Sequence, residues 1–276
     1  MKRVQLWLQK FRRTKTAACI VVKNEQDDIG EWIAYHLAIG FDSILLFDNA
    51  SDDATSRIVD AYARKYDVRR IFWSDTSRYY QVNAYNAALK MLRHEHDWLC
   101  FIDADEFLVL KHHVSIREFV GDFSGSAGIA VNWALFGSSG LHERPNGLVI
   151  ENFLHRSDAS FAPNRHVKCL VQPRRTRYCV NAHFFGIDGT FVSPLGEPLD
   201  WESPGLSSRP PEYGAAQINH YFVKSFDQWK NKLNRGYHDT QRLIDTFSIY
   251  DRNEIFDAVI FHLASKVHAI MAEIET

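Results

Sequence analysis

Short apolar runs alternate with longer amphipathic stretches over the first 110 residues of the chain. The apolar runs have strand length and cover residues 16–22, 43–47, 68–73 and 98–102. Between them, apolar side chains recur at helical spacing, which predicts helices from residue 27 towards Gly40, at 54–65 and at 81–94. We expect Ser51 or Asp52 to cap the second of these helices. Strands that alternate with helices indicate parallel βαβ units, so the pattern predicts a doubly wound α/β fold.

The pattern changes after residue 109. A short helix is predicted at 115–123 and a strand at 128–133, whereas residues 136–213 are rich in Gly, Pro, Arg and aromatic residues and predict long functional loops. Short strand-like pieces lie at 168–171 and 177–180, a last strand at 218–222, and helices at 225–235 and 254–273. We therefore divide the chain into a basic segment (1–15), one domain with two halves (16–110 and 111–235) and a C-terminal helical extension (236–276).

Polar and acidic side chains follow the predicted strands where each strand ends. They are Asn24 and Glu25, Asp48 and Asn49, Asp75, and Asp103 and Asp105. Ligands of open α/β sheets bind outside the carboxyl ends of the strands, so we expect these side chains to surround a site. Carboxylates that directly follow a buried strand, as Asp103 and Asp105 do, need a cation, a hydrogen-bonding ligand or solvent.

Hard divalent cations such as Mg²⁺ and Mn²⁺ prefer oxygen ligands, and proteins hold them with one or two carboxylates together with substrate phosphates. The pair Asp103 and Asp105 therefore predicts a site for such a cation and a phosphorylated substrate. The simpler alternative is that both acids cap the next segment and lie in water.

Composition narrows the range of partners. The net charge is −2, so no overall positive field favours nucleic acid. Four cysteines lie in or beside apolar runs without a C-x-x-C pair, which predicts buried free thiols in a reducing cytoplasm. No apolar run approaches the ~20 residues that span a bilayer. The basic N-terminus is predicted as a frayed tail, and the alternative is peripheral contact with an anionic membrane surface.

Several motifs in order resemble the GT-A nucleotide-sugar glycosyltransferases, and most closely their family 2-like branch. The motifs are Lys23-Asn24-Glu25, Asp48-Asn49-Ala50-Ser51-Asp52-Asp53 and Asp103-Ala104-Asp105-Glu106-Phe107. The series Arg78, Gln81, Tyr85 and Asn86, the segment 136–140 and the segment 219–225 are also similar to that branch. The resemblance covers residues 16–235.

The resemblance implies a Rossmann-like GT-A fold, with a mixed, mostly parallel sheet, helices on both faces, a loop-rich acceptor region and C-terminal helices. It implies a nucleoside-diphosphate sugar donor bound by the first half of the domain, and Mn²⁺ or Mg²⁺ as the metal. Asp103 and Asp105 would bridge this metal to the diphosphate. A third ligand would be a histidine, either His220 or, as second choice, His183.

The resemblance also suggests roles for the other strand-end residues. Asp48 would bind the nucleoside, and Asn24 and Glu25 would line the other side of its base or ribose, with helix capping as the alternative. The side chains expected to reach the donor sugar or its phosphates are Arg78, Gln81, Arg165 and Lys168. For Arg78, Arg165 and Lys168 the alternative is ordinary surface charge.

An inverting transfer also needs a general base near the acceptor hydroxyl. Glu151 follows an apolar run and is the first choice, with Asp105 as the second carboxylate of the catalytic centre. Glu143, Asp200 and Glu202 are rivals, because the Glu-Asp pair typical of family 2 is absent from the second half of the sequence. Retaining stereochemistry stays open.

The sequence thus predicts a metal-dependent hexosyltransferase of the cytoplasm that acts on a glycan or lipid-linked acceptor, as in polysaccharide biosynthesis. One alternative is a phosphohydrolase of the haloacid-dehalogenase type, whose first Asp attacks phosphorus. That motif usually continues Gly-Thr, whereas this one continues Glu106-Phe107. The other alternative is a glycan-binding protein with a degenerate transferase fold. The oligomeric state stays open.

Overall fold

A computed structural model of the chain describes residues 13–234 and 244–275. Its strands are β1 (Thr16–Val22), β2 (Ser43–Asp48), β3 (Val68–Phe72), β4 (Trp98–Phe101), β5 (Glu106–Leu110), β6 (Gly128–Leu135), β7 (His155–Arg156), β8 (Val167–Val171), β9 (Thr176–Asn181), β10 (Phe184–Ile187), β11 (Phe191–Val192), β12 (Trp201–Ser203), β13 (Leu206–Ser207), β14 (Ala216–His220) and β15 (Ile255–Phe256). Its helices are α1 (Ile29–Ala38), α2 (Thr55–Ala63), α3 (Tyr80–Leu92), α4 (Ile116–Gly121), α5 (Val149–Asn152), α6 (Phe226–Asn234), α7 (Thr246–Tyr250) and α8 (Ala264–Glu275). Short 3₁₀ turns lie at Ala162–Arg165, Pro173–Arg175 and Val259–Leu263.

The core of the fold is one large mixed sheet with the strand order β3-β2-β1-β4-β8-β6-β14-β5. The first four strands of that order are parallel, β8 is antiparallel to both β4 and β6, and β14 is parallel to β6 but antiparallel to β5. The predicted mixed, mostly parallel sheet is therefore confirmed.

Helices cover both faces of this sheet, also as predicted. On one face, α1 packs with α8, and its Trp32 and Tyr35 are fully buried in the larger apolar core. On the other face, α3 places Tyr85 and Leu89 over β1 and β4. Because both faces are covered, the central strands read as continuous apolar runs rather than as alternating ones, and this is why they are recognisable in the sequence.

Asp103 and Asp105 lie in a tight turn between two strands. β4 ends at Phe101, and β5 begins at Glu106 and pairs antiparallel with β14, so that Glu106 lies beside His220. The sequence analysis missed β5, because its apolar residues follow β4 with only a short polar interruption. The pairing brings the chain segment around residue 220 next to the turn at residues 103–105.

Two local predictions are wrong. The helix expected at 254–273 begins only at Ala264, because Ile255 and Phe256 pair with β7 and the Asp257 carboxylate accepts a 2.7 Å bond from Arg156 Nε. Ser51 and Asp52 do not cap α2, which begins at Thr55.

Residues 1–12 and 235–243 lie outside the described part of the chain. Most of the predicted basic segment and the last residue of the helix expected at 225–235 fall in these ranges. The domain division stays a prediction. Within the described ranges, no helix is both long and apolar enough to cross a membrane.

Candidate functional site

The parallel strands β1, β2 and β4 end at the same edge of the sheet. β1 and β2 are in register, so that Val22 lies beside Asp48, and the loops after them are joined through Asn24. The Asn24 N–H donates to Ser51 Oγ at 3.0 Å, and the Asn24 side-chain amide donates to Asp52 at 2.7 Å. These bonds explain why Ser51 and Asp52 do not cap the following helix. They also join the loops after β1 and β2 at this edge of the sheet.

Asp103 binds the fully buried Lys168, although its own side chain is 32% exposed. Lys168 Nζ lies 2.6 Å from Asp103 Oδ2 and 3.3 Å from Glu106 Oε2, and the lysine is fully buried on β8. Gln81 Nε2 donates to Asp103 Oδ1 at 2.7 Å, and the Asp103 N–H donates to Glu106 Oε2 at 2.8 Å. We call Asp103, Glu106 and Lys168 the inner cluster. Each Asp103 carboxylate oxygen thus accepts a bond from the protein, and each has a further lone pair that can accept from a ligand.

The inner cluster places one ammonium between two carboxylates, and their pKa values diverge. Burial raises the pKa of Glu106 to about 8, and Lys168 offsets this only in part. Burial also acts to raise the pKa of Asp103, but the Lys168 charge outweighs it and the pKa of Asp103 is lowered. The pKa of Lys168 is raised, because its two carboxylates outweigh the effect of burial. Near neutral pH the cluster therefore holds a charged Asp103–Lys168 pair beside a protonated Glu106.

Asp105 faces outwards and binds Lys232 on α6. Lys232 Nζ lies 2.5 Å from Asp105 Oδ2 and 2.8 Å from the Phe222 carbonyl oxygen. The side chains of Asp105 and Lys232 are 17% and 18% exposed, whereas in the inner cluster Lys168 and Glu106 are fully buried and Asp103 is 32% exposed. Burial acts to raise the pKa of Asp105, but Lys232 and His220 outweigh it, so the pKa lies well below its ordinary range. We call Asp105 and Lys232 the outer pair.

Two histidines adjoin these acids. His220 Nε2 lies 3.5 Å from Asp105 Oδ2, and His220 Nδ1 lies 3.9 Å from Glu106 Oε1. Burial lowers the pKa of His220. Burial, followed by the charge of Lys168, lowers the pKa of His183 to about 3. Both imidazoles are therefore neutral at physiological pH, which is the state that binds metals.

The arrangement partly fits the predicted divalent cation. Carboxylate and imidazole are the donor types that Mn²⁺ accepts, and Asp105 and His220 lie side by side. In the part of the chain that the structure describes, however, no three His, Cys, Asp or Glu side chains are arranged as a metal site. Asp103 is already bound by Lys168 and Gln81, whereas Asp105 borders the cleft, so Asp105 is the better-placed ligand of the two. That both acids bridge the metal stays a prediction.

A cleft opens beside the outer pair. It is lined by the loop after β1, Asp53, Asp105, Arg144, Gln228, Asn231, Lys232 and residues 222–224. Its cations include Lys224, which contacts Asp28, and Arg144, whose Nη2 lies 3.1 Å from Asp28 Oδ1. Lys224 has a φ of 53°, a left-handed conformation that side chains other than Gly rarely adopt. The cleft therefore brings three cationic side chains and Asp105 to the edge of the sheet.

The predicted site residues separate into three groups. Asn24, Glu25 and Asp105 line the cleft, and His220 and Gln81 lie beside its acids. Lys168 lies at the site but in its interior. The remaining predicted residues are engaged elsewhere or exposed: Asp48, Arg78, Arg165, Glu151, Glu143, Asp200 and Glu202.

Asp48 is enclosed by its own loop. One carboxylate oxygen accepts the Ser51 N–H at 3.0 Å, and the other accepts the Ser56 hydroxyl at 2.5 Å and faces Arg70 at 3.5 Å. The side chain is only 2% exposed and its oxygens are bound within the loop, so this geometry gives no support to its contact with a nucleoside, which stays a prediction. Its acceptors hold the loop between β2 and α2 instead.

The other predicted cations do not converge on the acids. Arg165 Nη1 pairs with Glu202 Oε2 at 2.5 Å, and the exposed Arg78 stacks on the ring of Tyr79. Lys168 is a positioning residue for Asp103 rather than a surface cation that meets a diphosphate. The two predicted roles that remain open for Arg78 and Arg165 are donor contact and surface charge.

Glu151 does not line the cleft. Its Oε2 accepts the Leu148 N–H at 3.1 Å, and its Oε1 lies 3.0 Å from His268 Nε2 on α8. The rival Asp200 pairs with Arg209, and Glu143 is exposed in the loop that carries Arg144. The geometry thus gives Glu151 a structural role at the start of α5.

The sequence analysis missed Lys232, Lys224, Arg144 and Glu106. For Lys232 the signal was present: it lies one helical turn after Trp229, which is fully buried, so both belong to the inward face of α6. Lys168 carried a similar signal, because it interrupts a continuous apolar strand and so had to be buried with a partner.

The family model described as glycosyltransferase family 92 matches residues 16–258. A family 92 glycosyltransferase from Ricinus communis is 32% identical over 233 residues, which is 79% of this chain and 36% of that protein. One from Oryza sativa subsp. japonica is 26% identical over 78% of this chain and 34% of its own length. The chain thus spans about a third of the length of these curated relatives.

Solved structures of glycosyltransferases are more distant. TarS residues 1–349 from S. aureus, in complex with UDP-GlcNAc, is 16% identical over 58% of this chain and 46% of that chain, with a TM-score of 0.38. Glucosyl-3-phosphoglycerate synthase from Mycobacterium tuberculosis, in complex with Mn²⁺, UDP and glucosyl-3-phosphoglycerate, is 18% identical over 44% of each chain, with a TM-score of 0.28.

Proposed function

The chain belongs to glycosyltransferase family 92, and from this premise we propose that it transfers a sugar from a nucleoside-diphosphate sugar to a glycan or lipid-linked acceptor. The general resemblance to glycosyltransferases is confirmed by this membership, whereas the family 2-like branch is not. The observation that supports the proposal most directly is Asp105, which lies at the open edge of the sheet in a cleft with Lys224, Lys232 and Arg144.

The cleft offers complementary groups for the donor. Ammonium and guanidinium groups bind phosphate oxygens through charge-assisted hydrogen bonds, so we assign the diphosphate to Lys224, Lys232 and Arg144. Asn24 and Glu25 line the same cleft from the loop after β1, and we assign the nucleoside to their side. Gln81 and Lys168 contribute indirectly, because they fix Asp103 and with it the turn that carries Asp105.

Asp105 and His220 are the residues that would hold Mn²⁺ or Mg²⁺. The bound cation would neutralise negative charge on the leaving diphosphate. The protein positions the two ligands through its backbone, since the Tyr221 N–H donates to the Asp105 carbonyl oxygen at 2.8 Å and Tyr221 follows His220 directly. His183 has its Nδ1 on the Val167 carbonyl oxygen at 2.9 Å and supports the interior side of the same region.

An inverting transfer requires a base on the acceptor side, and we propose that it is an acid at the rim of the cleft. Glu143 precedes Arg144 in an exposed loop and is not held by the capping contact that occupies Glu151. The acceptor would approach from the loop-rich half of the domain, which supplies Arg144 to the cleft.

The phosphohydrolase alternative is disfavoured by Asp103. A nucleophilic carboxylate must present an oxygen to phosphorus. Lys168 and Gln81 bind the two oxygens of Asp103 in the interior, and the residue that meets the cleft is Asp105. The other alternative is a glycan-binding protein, which would show no turnover, so an assay of sugar transfer distinguishes it from the proposed enzyme.

Calorimetric titration with UDP and then GDP, each with Mn²⁺ and again with chelator, tests the proposal. We expect metal-dependent binding of one nucleotide to the unmodified protein, and its loss in Asp105→Asn. Lys230→Met is the matched control, because Lys230 lies on the same helix as Lys232 but pairs with Asp227 outside the cleft. If neither nucleotide binds under either condition, the proposed donor class is wrong.

A further inference from the structure

Lys232 occupies the position that a cation bound to Asp105 would need. Its Nζ lies 2.5 Å from Asp105 Oδ2, which is also the oxygen that His220 approaches at 3.5 Å. The same Nζ donates to the Phe222 carbonyl oxygen at 2.8 Å and lies over the face of the Phe222 ring, 4.7 Å from its centroid. The ammonium is therefore seated in a defined site rather than extended into solvent.

A divalent cation and this ammonium exclude each other. Mg²⁺ and Mn²⁺ bind carboxylate oxygens at about 2.0–2.2 Å, so the cation would lie in the space that Lys232 Nζ fills, and two adjacent positive charges would repel. Asp105 is the acid that faces the cleft, whereas Asp103 is bound on its interior side by Lys168.

We propose that Lys232 is an internal counter-ion of Asp105 that a divalent cation displaces, and that the displaced ammonium then binds the diphosphate of the donor. This inference rests on the proposed function for the identity of the donor. It assigns Lys232 two positions: on Asp105 before the ligands bind, and on the phosphates afterwards.

The comparison of the two lysines supports a mobile role for Lys232 and not for Lys168. Lys168 is fully buried and shares its charge between Asp103 and Glu106, so it has no route to solvent. Lys232 lines the open cleft, and its side chain is 18% exposed. A lysine side chain has a flexible stem of four carbons, which allows its ammonium to move by several ångströms while the helix stays in place.

The inference predicts opposite changes in two affinities. Without the ammonium, Mn²⁺ no longer has to break a charge-assisted bond at Asp105, so Lys232→Met should bind Mn²⁺ alone about tenfold more tightly. The same variant lacks the cation that would meet the diphosphate, so it should bind UDP in saturating Mn²⁺ about tenfold more weakly. A residue that only stabilises the fold would not strengthen one ligand while weakening the other.

The decisive experiment has two titrations. In the first, Mn²⁺ alone is added to the protein and the free ion is monitored by electron paramagnetic resonance. In the second, UDP is added in saturating Mn²⁺ and its binding is measured by calorimetry. Lys232→Met is compared with the unmodified protein, with Lys232→Arg, which keeps the charge and should keep the competition, and with Lys230→Met, which should change neither affinity. Thermal unfolding of each variant confirms that it is folded.

Unchanged or weaker Mn²⁺ binding by folded Lys232→Met would overturn the counter-ion role, even if the unmodified protein binds UDP and the proposed function stands. Conversely, tighter Mn²⁺ binding by Lys232→Met would uphold the counter-ion role at Asp105 even if no nucleotide binds, and that second result would count against the proposed donor. Unchanged UDP binding would overturn the second position of the ammonium.

Discussion

Asp103 and Asp105 lie two residues apart in one turn, and each faces a lysine ammonium at nearly the same distance, 2.6 Å and 2.5 Å. The inner lysine is fully buried and lies between two carboxylates, whereas the outer lysine and its acid border a cleft. Two acids of one short motif thus have different physical tasks. The inner acid is bound to the buried Lys168 although its own side chain is 32% exposed, and the outer acid, 17% exposed, lines the cleft.

The difference follows from the cost of removing charges from water. A buried ion pair gives little net stability, but the loss of one partner leaves an uncompensated charge in the interior. A pair at the rim of a cleft keeps part of its hydration and can exchange its partner. The inner cluster is therefore expected to respond to mutation through stability, and the outer pair through binding and turnover.

The largest expected effect comes from Lys168→Met. It leaves the fully buried Glu106 and the partly exposed Asp103 without their ammonium, and we expect a loss of about 3 kcal/mol in the free energy of unfolding. Urea denaturation measures this loss. The comparison variant from the outer pair is Lys232→Met, whose free energy of unfolding should fall by about 1 kcal/mol or less. Adding Asp103→Asn to Lys168→Met should restore part of the loss. Equal destabilisation by the two lysine variants would abolish the distinction between the clusters.

Next in size is the effect of Asp105→Asn on turnover. The variant keeps the shape of the side chain but removes the charge at the cleft, and we expect turnover to fall at least about 100-fold, or about 2.7 kcal/mol. Its thermal midpoint should stay close to that of the unmodified protein. Asp103→Asn should show the opposite balance, with a clearer effect on the thermal midpoint than on turnover. Steady-state kinetics and calorimetric unfolding of both variants provide the measurement.

Glu106 should give the inner cluster a characteristic pH dependence. Its pKa is raised to about 8 in the folded protein, so its contribution to stability is complete below the ordinary pKa of Glu and is lost as the pH rises through about 8. We expect the free energy of unfolding to fall on the order of 2 kcal/mol between about pH 6 and about pH 8. Glu106→Gln should remove this fall. The loss of stability at low pH should remain in this variant, because Asp103 and Asp105 have lowered pKa values and lose their contribution to stability as the pH falls.

The smallest effect is expected at Glu151, an acid outside both clusters. Glu151→Gln should lower the free energy of unfolding by about 1 kcal/mol, because the hydrogen bond from the Leu148 N–H and the contact with His268 become weaker. Turnover should stay within about twofold. A fall of more than tenfold in turnover, at unchanged donor affinity, would instead restore Glu151 as the general base.

The parts of the fold that the sequence predicts are those with local signals. The strands at 16–22 and 98–102 are continuous apolar runs bounded by polar residues, and both are confirmed. Asp105 was placed at the sheet edge for the same reason. The enclosure of Asp48 in its own loop was not indicated, because its partners Ser56 and Arg70 are identified only by the way the chain folds back. The pairing of Asp105 with Lys232 joins residues 127 positions apart, and no periodic pattern encodes such a contact.

The antiparallel pairing of β5 with β14 also sets an order in time for the assembly of the site. The acids at residues 103–105 are made early in synthesis, whereas Lys168, His220 and Lys232 follow later on the chain. Translation is directional, so a nascent chain that ends before β14 presents the acid turn to water without the outer cation. We expect a truncated version that ends at residue 215 to have no outer pair. The amino-terminal half can thus form its strands early, and the site becomes complete only when the later segment pairs with β5.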